Sequence, residues 1–86
     1  MIRIYTAPQF KKSIQKIPYR TQITFQKKLK LFRQDPFYPS LKTHKLSGKM
    51  KNNHSFSVTY SHRVLFKFLD ENNVLLINIG THGIYK

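Results

Sequence analysis

The sequence contains no cysteine and only three acidic residues, Asp35, Asp70 and Glu71. Without cysteine the chain has no thiolate nucleophile, no cysteine-bound zinc site and no disulfide. With so few carboxylates it cannot assemble the paired acids of a glycosidase or the convergent acids of a two-metal nuclease. We therefore expect a protein that works without a metal ion and without a small-molecule cofactor.

Long hydrophobic segments are also missing. The longest uninterrupted apolar run spans Val74–Ile77, whereas a membrane-crossing helix needs about 18 or more apolar residues. The N-terminal residues lack the apolar stretch of a signal peptide. We expect no membrane association and an intracellular location.

Positive charge dominates what is present. Sixteen Lys and Arg residues against three acids give a formal net charge of +13. Such a charge favours a polyanionic partner, and the phosphates of a nucleic acid fit that description. The 86 residues, 40% of them hydrophobic, suffice for one compact core. Residues 1–86 are therefore predicted to form a single domain.

The N-terminal half has the apolar periodicity of helices. Met1–Tyr5 is predicted to be a short strand, after which Thr6 is expected to cap a first helix that ends at Pro18. Tyr19–Arg33 is predicted to be a second helix. The apolar stripes of the two helices are Phe10, Ile14 and Ile17, and Phe25, Leu29 and Phe32. Together they predict a helical hairpin.

The C-terminal half changes to the alternation of strands. Strands are predicted at Ser55–Tyr60, Arg63–Leu69 and Val74–Ile79, with a polar hairpin loop at Asp70–Asn73. Leu41–Asn53 is predicted to be a basic connector. The order β-α-α-β-β-β indicates an α+β fold in which the helical hairpin packs on one face of an antiparallel sheet.

Histidines and one arginine are the candidates for chemistry, because imidazole exchanges protons near neutral pH. His44 in the basic connector and His82 after the last strand are expected at the rim of the sheet, where sites are commonly built. His54 and His62 are interpreted as structural residues. Arg63 opens an otherwise apolar strand, where a guanidinium either extends to solvent or faces an anion. We favour anion binding.

These groups suit one reaction of RNA. Attack of a 2′-hydroxyl on the adjacent phosphate needs a proton acceptor, a proton donor for the 5′-oxygen and positive charge at the phosphate. The histidines and Arg63 can supply all three. DNA lacks the internal nucleophile, so a nuclease built from these residues is biased towards RNA. A basic RNA-binding module would show the same charge.

Several short motifs in the C-terminal half are familiar. They are LKTHKLSG at Leu41–Gly48, SFSVTY at Ser55–Tyr60, RVLF at Arg63–Phe66, and IGTH at Ile79–His82 with Tyr85 beyond it. With the helical hairpin and the strand order, they resemble the RelE/ParE toxin superfamily over nearly the whole chain. The resemblance is greatest to the RelE-type, YafQ-like messenger-RNA interferases of bacterial type II toxin–antitoxin systems.

The resemblance implies a cytoplasmic bacterial endoribonuclease that enters the ribosomal A site and cuts the messenger there. It implies an antitoxin partner, which we expect to be acidic and encoded beside the toxin. Arg63 would bind the phosphate and stabilise the transition state, and His82 would be a general acid. His44 would act as base or orient the phosphate, and Tyr85 would stack on the substrate base. Four lysines are predicted to contact messenger or ribosomal phosphates: Lys42, Lys45, Lys49 and Lys51.

Departures from the family pattern leave other functions open. The lysine pair of RelE falls at Ser55 and Ser57, and the strand histidine and aspartate of the YafQ-like branch fall at Ser57 and Ser61. A ParE-like protein that poisons DNA gyrase would keep the fold and need none of these groups. The gyrase poison and the non-toxic RNA-binding module therefore stand as alternatives to the nuclease.

Overall fold

A computed structural model describes residues 1–48 and 52–85 of the chain. Lys49 and Lys51, two of the lysines predicted to bind RNA, lie outside the described residues. No helix in the described ranges has the length and hydrophobicity of a membrane-spanning segment. The elements are β1 (Arg3–Thr6), α1 (Pro8–Ile14), α2 (Tyr19–Gln34), β2 (His44–Lys45), β3 (His54–Ser57), β4 (Arg63–Phe68) and β5 (Asn73–Gly80), with 3-10 helices at Pro39–Leu41 and His82–Tyr85.

The strands form one sheet in the order β1-β5-β4-β3-β2. The four strands from β2 to β5 are antiparallel to one another, and both helices contribute to the core on one face, so the predicted α+β fold is confirmed. Strand β1 departs from the prediction because it pairs in parallel with β5, with Ile4 opposite Val74. A parallel partner far along the chain leaves no turn signal in the sequence.

The segment predicted to be a connector contains a further strand. His44 lies opposite Ser55, and Lys45 lies opposite His54, so β2 adds a fifth strand at the edge of the sheet. A strand of two residues is too short to show the alternation by which strands are recognised. The pairing matters because it joins His44 to the sheet.

The first helix begins and ends differently from the prediction. Thr6 does not cap it: Thr6 is the last residue of β1, and Ala7 holds the cap position with no side-chain hydrogen bond. Helix α1 begins at Pro8, whose fixed backbone angle suits a first turn, and ends at Ile14. Ile17 lies beyond the helix but still packs against the core.

The core between the helices and the sheet is built around Phe32. Its side chain is fully buried, and its ring centroid lies 4.8 Å from that of Phe56 and 4.9 Å from that of Phe66. Successive side chains of a strand point to opposite faces, so Phe56 and Phe66 point towards the helices. The residues on either side of Phe66 in β4 point to the other face of the sheet. The buried cluster comprises Ile2, Phe10, Phe25, Phe32, Leu41, Phe56, Val58, Val64, Phe66, Val74, Leu76 and Ile79.

The hairpin loop between β4 and β5 forms as predicted. The Asp70 carboxylate accepts hydrogen bonds from the backbone N–H of Asn72 at 2.8 Å and from the side-chain amide of Asn73 at 2.9 Å. The hydrogen bond from the Asn72 backbone, followed by that from Asn73, lowers the pKa of Asp70. The carboxylate thus closes this turn at the end of β4 that is remote from Arg63.

His54 is packed in an aromatic cluster at the edge of the core. Its ring centroid lies 5.6 Å from that of Phe66, 5.0 Å from that of Phe68 and 6.5 Å from that of Phe37. Within the described part of the chain its buried Nδ1 has no hydrogen-bond partner. Burial first, and then the charge of Lys45 and His44, lowers the pKa of His54 below its usual 6.5.

Acidification is expected to destabilise the protein through His54. The unfolded chain takes up this proton near pH 6.5, whereas the folded state resists it. The stability that neutral His54 provides is therefore complete above that pH and is lost as the pH falls towards the lower folded pKa. Urea unfolding between pH 8 and pH 5 should show a smaller decline for His54→Phe than for the wild type. His62→Gln is the control, and an equal decline in His54→Phe would contradict the assignment.

Candidate functional site

The candidate residues lie on the face of the sheet opposite the helices. Arg63 begins β4 and is paired with Ser57 of β3 on one side and with Gly80 of β5 on the other. Because successive side chains of a strand point to opposite faces, Arg63 points away from the core that buries Val64. The guanidinium therefore emerges at the end of the central strand, where β3 ends and β4 begins.

Arg63 is held in place by a serine. Its Nη1 donates a hydrogen bond to the Ser57 hydroxyl oxygen at 2.8 Å, and the side chain is only half-exposed. A guanidinium has five N–H donors, so this contact orients the group and leaves donors for a ligand. A planar, oriented guanidinium can bind a phosphate through two parallel hydrogen bonds.

His44 lies on the same face, two strands away on the edge strand β2. Its register partner is Ser55, which shares a face with Ser57, and its Nδ1 lies 3.0 Å from the Lys42 carbonyl oxygen. Because a carbonyl oxygen only accepts, this hydrogen bond requires that Nδ1 carry the proton. In the neutral ring Nε2 is then free to accept a proton. His44 thus has the tautomer that a general base needs.

The C-terminal 3-10 helix folds back over the same face. The Tyr85 hydroxyl lies 2.5 Å from the hydroxyl of the buried Ser55, and the Tyr85 ring is edge-on to the His82 ring at a centroid distance of 5.3 Å. A Cβ on Gly80 would lie 2.6 Å from Cγ2 of Ile84. Glycine at position 80 therefore lets the chain reverse closely enough to bring His82 and Tyr85 back onto the sheet.

The contact between Ser55 and Tyr85 should be measurable as a coupling energy. Ser55→Ala or Tyr85→Phe alone leaves one hydroxyl without its partner and should each lower the free energy of unfolding by about 1–2 kcal/mol. The double variant should cost less than the sum, because removing both partners leaves neither hydroxyl unsatisfied. Urea denaturation of the four proteins gives the cycle. Strict additivity would mean that the two hydroxyls do not interact in solution.

The structure thus places His44, Arg63, His82 and Tyr85, all predicted from the sequence, on the face of the sheet that carries Ser55 and Ser57. It does not place Lys45 with them, because Lys45 is in register with His54 on the other face. Sequence reasoning treated Ser55 and Ser57 only as departures from the family pattern. Their alternation with Phe56 and Val58 was the signal that they share the face of Arg63.

All three carboxylates lie elsewhere. Asp70 and Glu71 belong to the loop that follows the far end of β4 from Arg63, and Asp35 follows the last residue of α2. The electrostatic potential over this open face of the sheet is therefore positive. An anionic substrate would be attracted to it and would find no competing carboxylate.

Known structures share this fold. No protein-family model matches the sequence, and no curated protein matches it either. Solved structures do match: this chain has the fold of the RelE- and YafQ-like toxins, as the resemblance implied. One is YafQ from E. coli strain BL21(DE3), with a TM-score of 0.79 and 18% identity, covering 99% of this chain and 98% of that one.

Two further matches extend the comparison. A YoeB/ParE toxin from Agrobacterium tumefaciens has a TM-score of 0.78 and 16% identity, covering 94% of this chain and 99% of that one. A heterotetrameric YoeB-YefM toxin–antitoxin complex from Staphylococcus aureus contains a chain with a TM-score of 0.75 and 17% identity, covering 95% of this chain and 98% of that one. At these identities the comparison establishes the fold.

Proposed function

We propose that this protein is the toxin of a type II toxin–antitoxin pair and a metal-independent endoribonuclease that cuts messenger RNA in the ribosomal A site. The observation that carries the proposal is that His44 and Arg63 lie on the same face of the sheet as Ser55, whose hydroxyl contacts Tyr85 beside the His82 ring. The resemblance of the sequence motifs and the fold shared with known toxins support the same function.

The geometry suits cleavage by the RNA's own 2′-hydroxyl. The 2′-oxygen attacks the adjacent phosphorus while its proton passes to Nε2 of His44, which the Lys42 carbonyl leaves free. Arg63, oriented by Ser57, holds the phosphate and stabilises the charge that develops on its oxygens. The bond from phosphorus to the 5′-oxygen then breaks.

The leaving group must receive a proton. His82, exposed next to the Tyr85 ring, is the group proposed to donate it in protonated form. The products are a 2′,3′-cyclic phosphate and a 5′-hydroxyl, with the proton balance closed by exchange of both imidazoles with water. Tyr85, which is anchored through its hydroxyl to Ser55, offers a ring face on which a base can stack.

Primer extension on translated messenger tests this function directly. Purified protein added to translating ribosomes should produce cuts within the codon in the A site, and the fragments should end in a cyclic or 3′-phosphate. Messenger without ribosomes is the matched control for A-site cleavage. Intact transcripts on ribosomes loaded with the protein would contradict the nuclease. DNA breaks that depend on gyrase, with messenger left intact, would favour the ParE-like alternative.

The charge of the chain also suggests its inhibitor. With a formal charge of +13, the toxin should bind an acidic antitoxin whose charge speeds association and covers part of the open face. A short acidic protein encoded beside this chain should abolish cleavage at equimolar concentration. A neighbour that binds without inhibiting would contradict the toxin–antitoxin assignment.

A further inference from the structure

A cavity of about 340 Å³ lies beside Arg63, between helix α2, the first 3-10 helix and the bend that joins β3 to β4. Three cationic residues line it, Lys28, Lys42 and Arg63, together with the hydroxyl-bearing residues Ser40, Ser57 and Thr59. We propose that this cavity is a second phosphate site, which binds a backbone phosphate of single-stranded RNA next to the phosphate that reacts. The inference rests on the proposed function and names how the substrate is held.

The charge distribution favours an anion at this cavity. Three side chains of the same sign line it, and like charges at such distances repel. None of the three carboxylates of the chain lines the cavity. A bound phosphate removes the repulsion, and the hydroxyls around it supply further hydrogen-bond donors. The cavity is therefore complementary to an anion.

Lys28 is the residue that distinguishes this site from the rest of the basic surface. It is half-buried, whereas its neighbour Lys27 is exposed. Its Nζ lies 3.5 Å from both the carbonyl oxygen and the hydroxyl oxygen of Ser40, which is the outer limit of a hydrogen bond. An ammonium has three donors, so Lys28 is positioned at the cavity while its donors remain available for a stronger acceptor.

The sequence contained a signal for Lys28 that was missed. Positions 25, 28 and 32 follow one another at i, i+3 and i+7 on one side of α2, and Phe25 and Phe32 are buried. A lysine within such an apolar stripe indicates a candidate anion-binding position, as does Arg63 at the start of an apolar strand. Each side chain extends from the margin of the core, where its charge can bind the proposed phosphate.

Lys42 links the cavity to the candidate base. It is the single non-glycine residue with a positive φ, 52°, in the described ranges. Residues other than glycine adopt this conformation at a cost, and such strain is concentrated at functional sites. The same backbone turn presents the Lys42 carbonyl oxygen to His44 Nδ1. Lys42 therefore lines the cavity and also orients the ring of His44 through its backbone.

An aromatic side chain at the rim favours RNA over a free phosphate ion. Tyr60 lines the cavity and its side chain is fully exposed, with a relative accessibility of 101%. Exposed aromatic rings beside cationic grooves stack on the bases of single strands. A nucleotide with its phosphate near Lys28 and its base on Tyr60 would use both features.

A titration with inorganic phosphate tests the cavity without any cleavage step. In NMR spectra of ¹⁵N-labelled protein, the backbone amide signals of Ser40, Lys42 and Thr59 should shift at lower phosphate concentrations than the signals of other segments. Lys28→Gln, which keeps most of the aliphatic stem, should weaken this binding about tenfold. Lys27→Gln, one position along the same helix, should leave it unchanged. Shifts centred elsewhere, or equal effects of the two variants, would overturn the proposal.

A second arm distinguishes RNA from the free ion. A short single strand with 2′-O-methyl sugars cannot be cleaved and should displace inorganic phosphate from the wild-type cavity. Lys28→Gln should lower the slope of log affinity against log salt by about 0.7, the value for one phosphate contact on a single strand. Tyr60→Ala should weaken binding of the strand while leaving phosphate binding intact.

The outcomes separate this proposal from the nuclease function. A strand that fails to compete with phosphate in the wild type would overturn the RNA site, whatever the protein does on ribosomes. Competition together with the Lys28 and Tyr60 effects would support the site even if no messenger were cut. The wild-type competition decides the question should Lys28→Gln not fold, which thermal unfolding of each variant would show.

Discussion

Arg63→Ala is expected to lower the rate of messenger cleavage on ribosomes by about 100- to 1000-fold, equivalent to about 2.7–4 kcal/mol of transition-state stabilisation. The guanidinium is oriented by Ser57 at 2.8 Å and is only half-exposed, so its charge acts at the phosphate without first being reorganised. The measurement is the initial rate of cleavage by quantitative primer extension. Fold stability should change little, because Arg63 lies outside the buried cluster.

Lys67→Ala is the matched control for that result. Lys67 is exposed and belongs to the same strand and the same face, but it is in register with Leu75, away from Gly80 and the C-terminal 3-10 helix. Its removal takes away the same unit of charge from the overall field. Equal losses in the two variants would mean that Arg63 contributes only through long-range attraction. Wild-type cleavage by Arg63→Ala would contradict its role at the phosphate.

Phe32→Ala is expected to lower the free energy of unfolding by about 3–5 kcal/mol. Its side chain is fully buried and contacts the rings of Phe56 and Phe66, so truncation opens a cavity between α2 and the centre of the sheet. Because small domains are stable by only about 5–15 kcal/mol, the variant should be close to unfolded at 37 °C. Urea denaturation followed by circular dichroism gives the shift in midpoint.

Phe37→Ala provides the comparison for the core prediction. Phe37 is 58% exposed and contacts the rings of Phe68 and His54 at the margin of the core. The same truncation there should cost about 1 kcal/mol or less, since most of the ring area is already in water. Similar losses at both positions would show that Phe32 is not the centre of the packing.

A repeated local pattern predicted both helices and the strands β3 to β5, but not always where each element ends: the strand predicted at Ser55–Tyr60 is His54–Ser57, and the first helix ends at Ile14 before the predicted Pro18. The apolar stripe of Tyr19–Arg33 predicted α2 to within one residue, and the strands β4 and β5 were predicted to within one residue at each end. The parallel pairing of β1 and the two-residue strand β2 could not be predicted. Their positions depend on contacts between segments that are distant in sequence or too short to carry a period.

The candidate site likewise contains residues that could be identified from the sequence and contacts that could not. Arg63 and the histidines could be identified because a cation in an apolar strand and an imidazole at a sheet edge are visible in the sequence. The hydroxyl contact between Ser55 and Tyr85 joins residues 30 positions apart, and the position of Lys28 depends on where α2 meets Ser40. The position of Lys28 in an apolar stripe was visible in the sequence, but its contact with Ser40 and the contact between Ser55 and Tyr85 were not, because each joins segments that are far apart in the chain.

The central position of β5 determines how late in synthesis the sheet can be completed. Among the described strands β5 comes latest in the sequence, yet it lies between β1 and β4, and the 3-10 helix that carries His82 and Tyr85 follows it. During translation β1 and β4 therefore remain without their shared partner until β5 has been synthesised. The 3-10 helix that carries His82 and Tyr85 can pack against the sheet only after β5 has inserted between β1 and β4.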